Sequence, residues 1–325
     1  MEEKLVSVII PTYNRGDLIS ETIVSVLNQT YQNFEIFIID DGSIDNTKVL
    51  VQSFNDERVR YIFQEHSGLP ASGRNTGIKH AIGDYIAFLD SDDLWYPQKL
   101  EIQINMLKKY PNILLISTNG VYFPSKLDIK VLPIKNDTEI TFRYLLENNI
   151  IINSSVLMRK KVTDKIGLLD EDNKLKYGED YDYWLRLLKY KDNSILILKN
   201  ILVKYRNTTN DLINLYRNPQ FFLQKYRIIS HISEKHKDIN NGRFKEKLRK
   251  LLYNYKISKE IGEIVKKKHT VFEILKNKSI KVDKKLFFLI EYLFSNFKLI
   301  NFMKKARIFR NKKDYLKILL YKLLR

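Results

Sequence analysis

At 325 residues the chain is long enough for one large domain with an appendage, or for two domains, and at 44% hydrophobic and 29% charged it can bury a core. It has no cysteine, which excludes disulfides and thiolate zinc sites and fits a reducing compartment. The net charge of +18 is unevenly placed: residues 1–215 carry 26 basic against 29 acidic side chains, residues 216–325 carry 30 against 9, and such a split argues for two regions with different tasks. Met1-Glu2-Glu3-Lys4 opens acidic and runs into a short strand, so no signal peptide is expected. No apolar run reaches the ~20 residues needed to cross a bilayer.

In chain order, the first half alternates apolar strands with helical patterns. Val6–Pro11 reads as a strand rich in β-branched residues, followed by a helix over Gly16 to Asn28 with Leu18, Ile19, Thr22, Ile23, Val26 and Leu27 on one side. Phe34–Asp40 is a second strand, Asp45 to Phe54 a helix, Val59–Phe63 a third strand, Arg74 to Ala81 a helix, and Tyr85–Leu89 a fourth strand. This alternation predicts an α/β fold with a mostly parallel central sheet flanked by helices. Beyond it, Gln98 to Lys109 reads as a helix that Pro111 ends, Leu114–Thr118 and Ser154–Met158 as further strands, and Gly178 to Tyr190 as a helix. From about 216 the pattern is helical and lysine-rich, with helices expected over 219–236, 243–268 and 284–304.

The most informative stretch is Ile86-Ala87-Phe88-Leu89-Asp90-Ser91-Asp92-Asp93, an apolar strand that ends in three carboxylates within four positions. Like charges so close repel, and desolvating them is costly without a partner. A hard divalent cation with oxygen ligands is the natural compensator, and the end of a buried strand is where open α/β sheets bind ligands. A simpler role also fits: Asp92 or Asp93 as the N-cap of a helix beginning near Leu94-Trp95. Four other signals accompany it: Pro11-Thr12-Tyr13-Asn14-Arg15, Asp40-Asp41-Gly42-Ser43, Gly68 through Arg74-Asn75-Thr76-Gly77, and Glu179-Asp180 with Trp184 close behind. Turns and helix starts explain each alone; their order and the shared carboxyl edge of three of them make the set specific. His66, His80, His231, His236 and His269 show no paired metal spacing and read as surface or packing residues.

The stretches VSVIIPTYNR, IDDGSIDNT, SGLPASGRNTGIKHAIGDYIAFLDSDDLW and GEDYDYWLRL resemble, over roughly residues 5–206, the inverting nucleotide-sugar glycosyltransferases of family 2, which have the GT-A fold. The resemblance implies a GT-A catalytic domain over 1–215 and a basic helical region over 216–325. It implies that Pro11, Thr12, Tyr13 and Asp41 hold the nucleotide, with Asp40 supporting the turn, and that Arg74 lies near its diphosphate, where a guanidinium can pair with phosphate oxygens. Asp90-Ser91-Asp92 matches the family's D-x-D element, with Asp92 as ligand to Mg²⁺ or Mn²⁺ and Asp90 on the ribose or a metal-bound water. Asp180 matches the catalytic base and Glu179 an orienting neighbour, Asp93 is either a support behind the metal ligand or an acceptor-side residue, and Trp184 falls on the acceptor side. The implied reaction moves one sugar, from UDP by family frequency, to a hydroxyl of a glycan or lipid-linked acceptor in capsule, lipopolysaccharide or other surface polysaccharide synthesis. No Q/R-x-x-R-W motif is present, which argues against a processive synthase. A scaffold of the same fold without catalysis is the alternative, and intact Asp92 and Asp180 speak against it.

Leu286–Met303 stands apart. Glu291, Ser295 and Lys298 form a narrow polar stripe in a largely apolar helix flanked by Lys284-Lys285 and Lys304-Lys305. Two readings fit: a helix lying in an anionic membrane interface, or one packed in a small helical domain. The tail's aromatics sit among aliphatics at helical spacing, so no nucleic-acid partner is expected. The expected location is cytoplasmic, with peripheral attachment to the inner face of the plasma membrane if the interface reading holds.

Overall fold

A computed structural model of the chain describes residues 3–124, 129–147, 149–206, 219–235 and 246–249. These fall in the unit formed by Met1–Asn214 and Gln220–Tyr253; the second unit, Leu215–Pro219 and Asn254–Arg325, lies outside the described residues apart from Pro219. The expected helix 284–304, with its lysine flanks, is therefore also outside them.

The first strands are Val6–Thr12 (β1), Phe34–Asp40 (β2), Val59–Phe63 (β3) and Tyr85–Phe88 (β4), in the spatial order β3-β2-β1-β4, all parallel. β1, β2 and β4 are buried almost throughout, which is why they read as apolar runs and not as alternating ones. The chain builds outward from β1 to β3 and then returns to the other side of β1. The carboxyl ends of β1 and β4 thus flank the point where strand order reverses, where such sheets bind ligands. Register aligns the motifs: Thr12 pairs with Asp40, and Ile9 with Phe88, so Asp41 and Asp90 leave the sheet at one edge.

Beyond β4 the sheet becomes mixed. Leu94–Trp95 (β5), Leu115–Phe123 (β6), Thr138–Ile140 (β7), Leu157–Arg159 (β8) and Ile195–Arg206 (β9) complete a nine-stranded sheet among the described residues, with β6 and β9 parallel and the other pairings antiparallel. The flanking helices are Ile19–Leu27 (α1), Thr47–Gln52 (α2), Pro70–His80 (α3), Lys99–Lys109 (α4), Phe142–Glu147 (α5), Lys161–Ile166 (α6), Glu179–Tyr190 (α7) and Pro219–Lys235 (α8). The predicted fold class holds for the described residues.

Three departures have physical causes. α1 starts at Ile19 because residues 14–16 are drawn off as a loop: the backbone N–H groups of Asn14, Arg15 and Gly16 donate to Ser43 Oγ (2.8 Å), Thr47 Oγ1 (3.0 Å) and Asp45 Oδ2 (3.0 Å). α3 starts at Pro70, four residues before Arg74, because proline is at home in a helix's first turn. No helix begins at Leu94-Trp95. That pair is β5, hydrogen-bonded to β9, so neither Asp92 nor Asp93 is an N-cap.

Candidate active site

A cavity of about 920 Å³ opens at the carboxyl ends of β1, β2 and β4, within the size range of ligand pockets. Pro11, Thr12, Tyr13, Asp41, Arg74, Asp90, Ser91, Asp92, Asp93, Glu179 and Asp180 all line it. Asp92 and Asp180, 88 positions apart in sequence, thus share one cavity.

At the β1–β2 end, Tyr13 keeps 42% of its surface exposed and its ring stacks on His66, centroids 4.1 Å apart and 26° between planes. Asp41 is buried. Its Oδ1 accepts from Gln64 Nε2 (2.7 Å) and from the Ser67 N–H (3.0 Å) and Oγ (2.9 Å), and its Oδ2 accepts from the Gly68 N–H (2.9 Å). Burial alone would raise this carboxyl, but those donors hold it below the usual carboxylate range. Asp40 supports the turn as expected: it accepts from the Ser43 N–H (2.8 Å) and the Tyr61 hydroxyl (2.6 Å).

At the β4 end, the Asp90–Asp93 loop is clamped from several elements. Thr22 Oγ1 of α1 donates to the Ser91 carbonyl (3.0 Å), and Arg206 Nε at the end of β9 donates to the Asp92 carbonyl (2.6 Å). Asp93 is fully buried, accepting from Ser154 Oγ (2.5 Å) and the Arg206 N–H (2.7 Å). These contacts tie its carboxylate to the loop. Asp92 is half-buried, with Arg15 Nη2 at 3.7 Å, longer than a hydrogen bond. Burial, and then the neighbouring Asp90, push the Asp92 carboxyl up.

Arg74 joins the two carboxylate groups. It is buried on α3, with Nη2 donating to Asp90 Oδ1 (2.7 Å) and Nη1 to Glu179 Oε1 (2.7 Å). Burial would lower its affinity for a proton, but Asp90 and Glu179 more than offset that and raise it. Arg74 is thus a buried brace between the D-x-D loop and the start of α7, and each terminal nitrogen already holds a carboxylate. Glu179 Oε2 also accepts from the Gly178 N–H (3.0 Å). Asp180 is half-buried and lines the cavity; burial, and then adjacent Glu179, push its carboxyl up to about 7.

Trp184 does not line the cavity. It is fully buried, 6.3 Å from the Phe88 ring and 5.3 Å from the Tyr183 ring, so its acceptor-side assignment is corrected. One helical turn after Asp180, it faces the core because α7 lays that stripe on the sheet. Sequence reasoning missed His66, Arg206, Tyr177 and Lys225, which line the cavity. For His66 a signal existed, since β3 pairs with β2 and delivers the next residues beside Asp41. For the others only the fold brings them in.

Among the described residues no group of three or more His, Cys, Asp or Glu forms a metal cage. A cation that completes its shell with substrate phosphates needs only one or two protein carboxylates, and half-buried Asp92 beside Asp90 fits that need.

The chain belongs to glycosyl transferase family 2, whose family model matches residues 7–167. It is 37% identical over 212 residues to the UDP-Glc:alpha-D-GlcNAc-diphosphoundecaprenol beta-1,3-glucosyltransferase WfgD of Escherichia coli, covering 63% of this chain and 78% of that one. It is 32% identical over 216 residues to the putative teichuronic acid biosynthesis glycosyltransferase TuaG of Bacillus subtilis, covering 64% and 81%. Among solved structures, S. aureus TarS 1-349 in complex with UDP-GlcNAc shares the fold at TM-score 0.58 and 19% identity, over 78% of this chain and 72% of that one. The mannosyltransferase PcManGT from Pyrobaculum calidifontis, in complex with GDP-Man and Mn2+, does so at 0.52 and 16%, over 90% and 86%. The protein is therefore a glycosyltransferase with the GT-A fold.

Proposed function

We propose that the protein transfers one sugar, with inversion, from a UDP-sugar to a hydroxyl of a glycan or lipid-linked acceptor in the synthesis of a surface polysaccharide. The observation that carries this reading is the common cavity of Asp92 and Asp180, braced through Arg74. The named relatives support the acceptor class: WfgD is named for a diphosphoundecaprenol-linked sugar and TuaG for teichuronic acid.

In this reading the base stacks on the Tyr13–His66 face, and Asp41 holds the 66–68 segment that walls it and meets a base N–H. Asp92, with Asp90 beside it, would hold Mg²⁺ or Mn²⁺, which when bound supplies Lewis-acid stabilisation of the charge growing on the nucleoside diphosphate. Asp180 takes the proton from the acceptor hydroxyl as the new bond forms, on the face opposite the leaving group, which inverts the anomeric centre. Glu179 is tied to Arg74 and the Gly178 N–H, so it orients the start of α7. A carboxyl poised near 7 suits a general base at neutral pH.

Residues 1–215 hold these groups, and we assign residues 216–325 to acceptor or membrane association, with 284–305 as the anionic-surface contact. The deciding experiment is calorimetric titration of UDP-sugars with Mn²⁺, followed by transfer assays. Asp92→Ala should lose metal-dependent donor binding, while Asp180→Asn should keep binding and lose transfer by about 10²–10⁴-fold. Transfer retained by Asp180→Asn would show that the base is another group.

A further inference from the structure

Three non-glycine residues among those described have left-handed backbone: Asn14 (φ 49°), Asn193 (φ 53°) and Tyr177 (φ 65°). Asparagine adopts this geometry readily; a bulky aromatic residue does so at a cost in backbone energy. Such a cost persists only where the surroundings impose it, and here they do. Leu175 is fully buried on one side, the Gly178 N–H donates back to the Leu175 carbonyl (2.7 Å), and Gly178 packs against Ile228 of α8. The strain holds Tyr177 outward: the ring lines the catalytic cavity yet is 67% exposed, which places it at the mouth. The Lys176 ammonium lies 5.4 Å from its centroid. Three residues on is Asp180, the base proposed to deprotonate the acceptor.

We propose that Tyr177 is the platform on which the acceptor sugar stacks. The inference rests on the proposed glycosyl transfer and names its acceptor class: a pyranose carries the accepting hydroxyl. The nucleotide is assigned to the Tyr13–His66 end, so an aromatic ring at the mouth meets the ligand that extends out to solvent. The flat C–H face of a pyranose covers an aromatic ring without rearrangement, whereas an open-chain polyol must be ordered to do so. A turn with no ligand to bind would gain stability from asparagine at this position, as at 14 and 193.

The test is calorimetric titration of octyl glucoside, octyl galactoside and octyl N-acetylglucosaminide, each below its micellar concentration, and of ribitol phosphate, onto the full chain with UDP and Mn²⁺. Wild type is expected to bind a pyranoside more tightly than ribitol phosphate. Tyr177→Phe should stay within about two-fold, and Tyr177→Asn should bind about ten-fold more weakly, the scale of one lost ring stack. Tyr177→Asn should also match or exceed wild type in melting temperature and keep its UDP affinity. Unchanged pyranoside affinity in a folded Tyr177→Asn protein overturns the proposal, as does wild type that binds no pyranoside or prefers ribitol phosphate. Loss of UDP affinity in that variant puts the ring on the donor and overturns it too. Failure of wild type to bind any UDP-sugar instead refutes the proposed UDP donor, while the pyranoside titrations still decide the role of Tyr177.

Discussion

Asp180 carries the sharpest expectation at the level of single residues. As a base it works only when ionised, so with its carboxyl at about 7 the transfer rate should rise tenfold per pH unit below that value and level off above it. The same shift has a cost in stability. The folded value lies above the ordinary aspartate value of 3.8, so the folded state holds the proton more tightly. That stabilisation is complete below the unfolded value and is lost as pH rises through about 7. Asp180→Asn should therefore melt higher than wild type above neutrality, with the difference vanishing near about pH 4, as thermal denaturation across pH would measure. Arg74 makes the opposite case. Arg74→Met leaves Asp90 and Glu179 without their shared cation and should destabilise by about 3–5 kcal/mol in urea melts. Arg74→Lys should recover little, since one ammonium does not reproduce a planar fork held by two carboxylates.

Among elements, the contact between α8 and the start of α7 is a close one that bears on the site. A Cβ built on Gly178 would lie 2.5 Å from Ile228 Cγ2, too close for either side to keep its place. Gly178→Ala should destabilise by about 1–3 kcal/mol, and pairing it with Ile228→Ala should recover part of the loss in chemical denaturation. Because Glu179 and Asp180 follow Gly178 directly, the single variant should also lose transfer while UDP binding at the far end of the cavity is kept. Lys235 of α8 forms an ion pair with Asp170, and His231 Nε2 lies 3.5 Å from Asp172 Oδ2, both on the segment that leads into α7.

For the whole molecule the dominant feature is charge. Residues 1–215 are near neutral while residues 216–325 carry 30 basic and 9 acidic side chains, and the proposed anionic-surface contact rests on that split. The full chain should co-sediment with vesicles containing phosphatidylglycerol, less so as salt rises. Replacing Lys284, Lys285, Lys304 and Lys305 with glutamine should weaken partitioning by about 1 kcal/mol per lysine at the surface. Unchanged sedimentation of that variant would remove the interface reading of 284–305.

Sequence by itself determined the α/β alternation, the strand ending at Asp40 and, to within one residue, the one ending at Phe88, and the gathering of Tyr13, Asp41 and Asp90–Asp92 on one carboxyl edge. These follow from local periodicity and from strand direction, which a chain states residue by residue. Tertiary structure alone decided that Trp184 is core, that Asp93 is a buried prop, that Arg74 braces two motifs, and that Arg206 and Tyr177 reach the cavity. Each of those depends on which face of an element meets a partner many residues away, and burial and pairing across such distances are properties of the packed molecule.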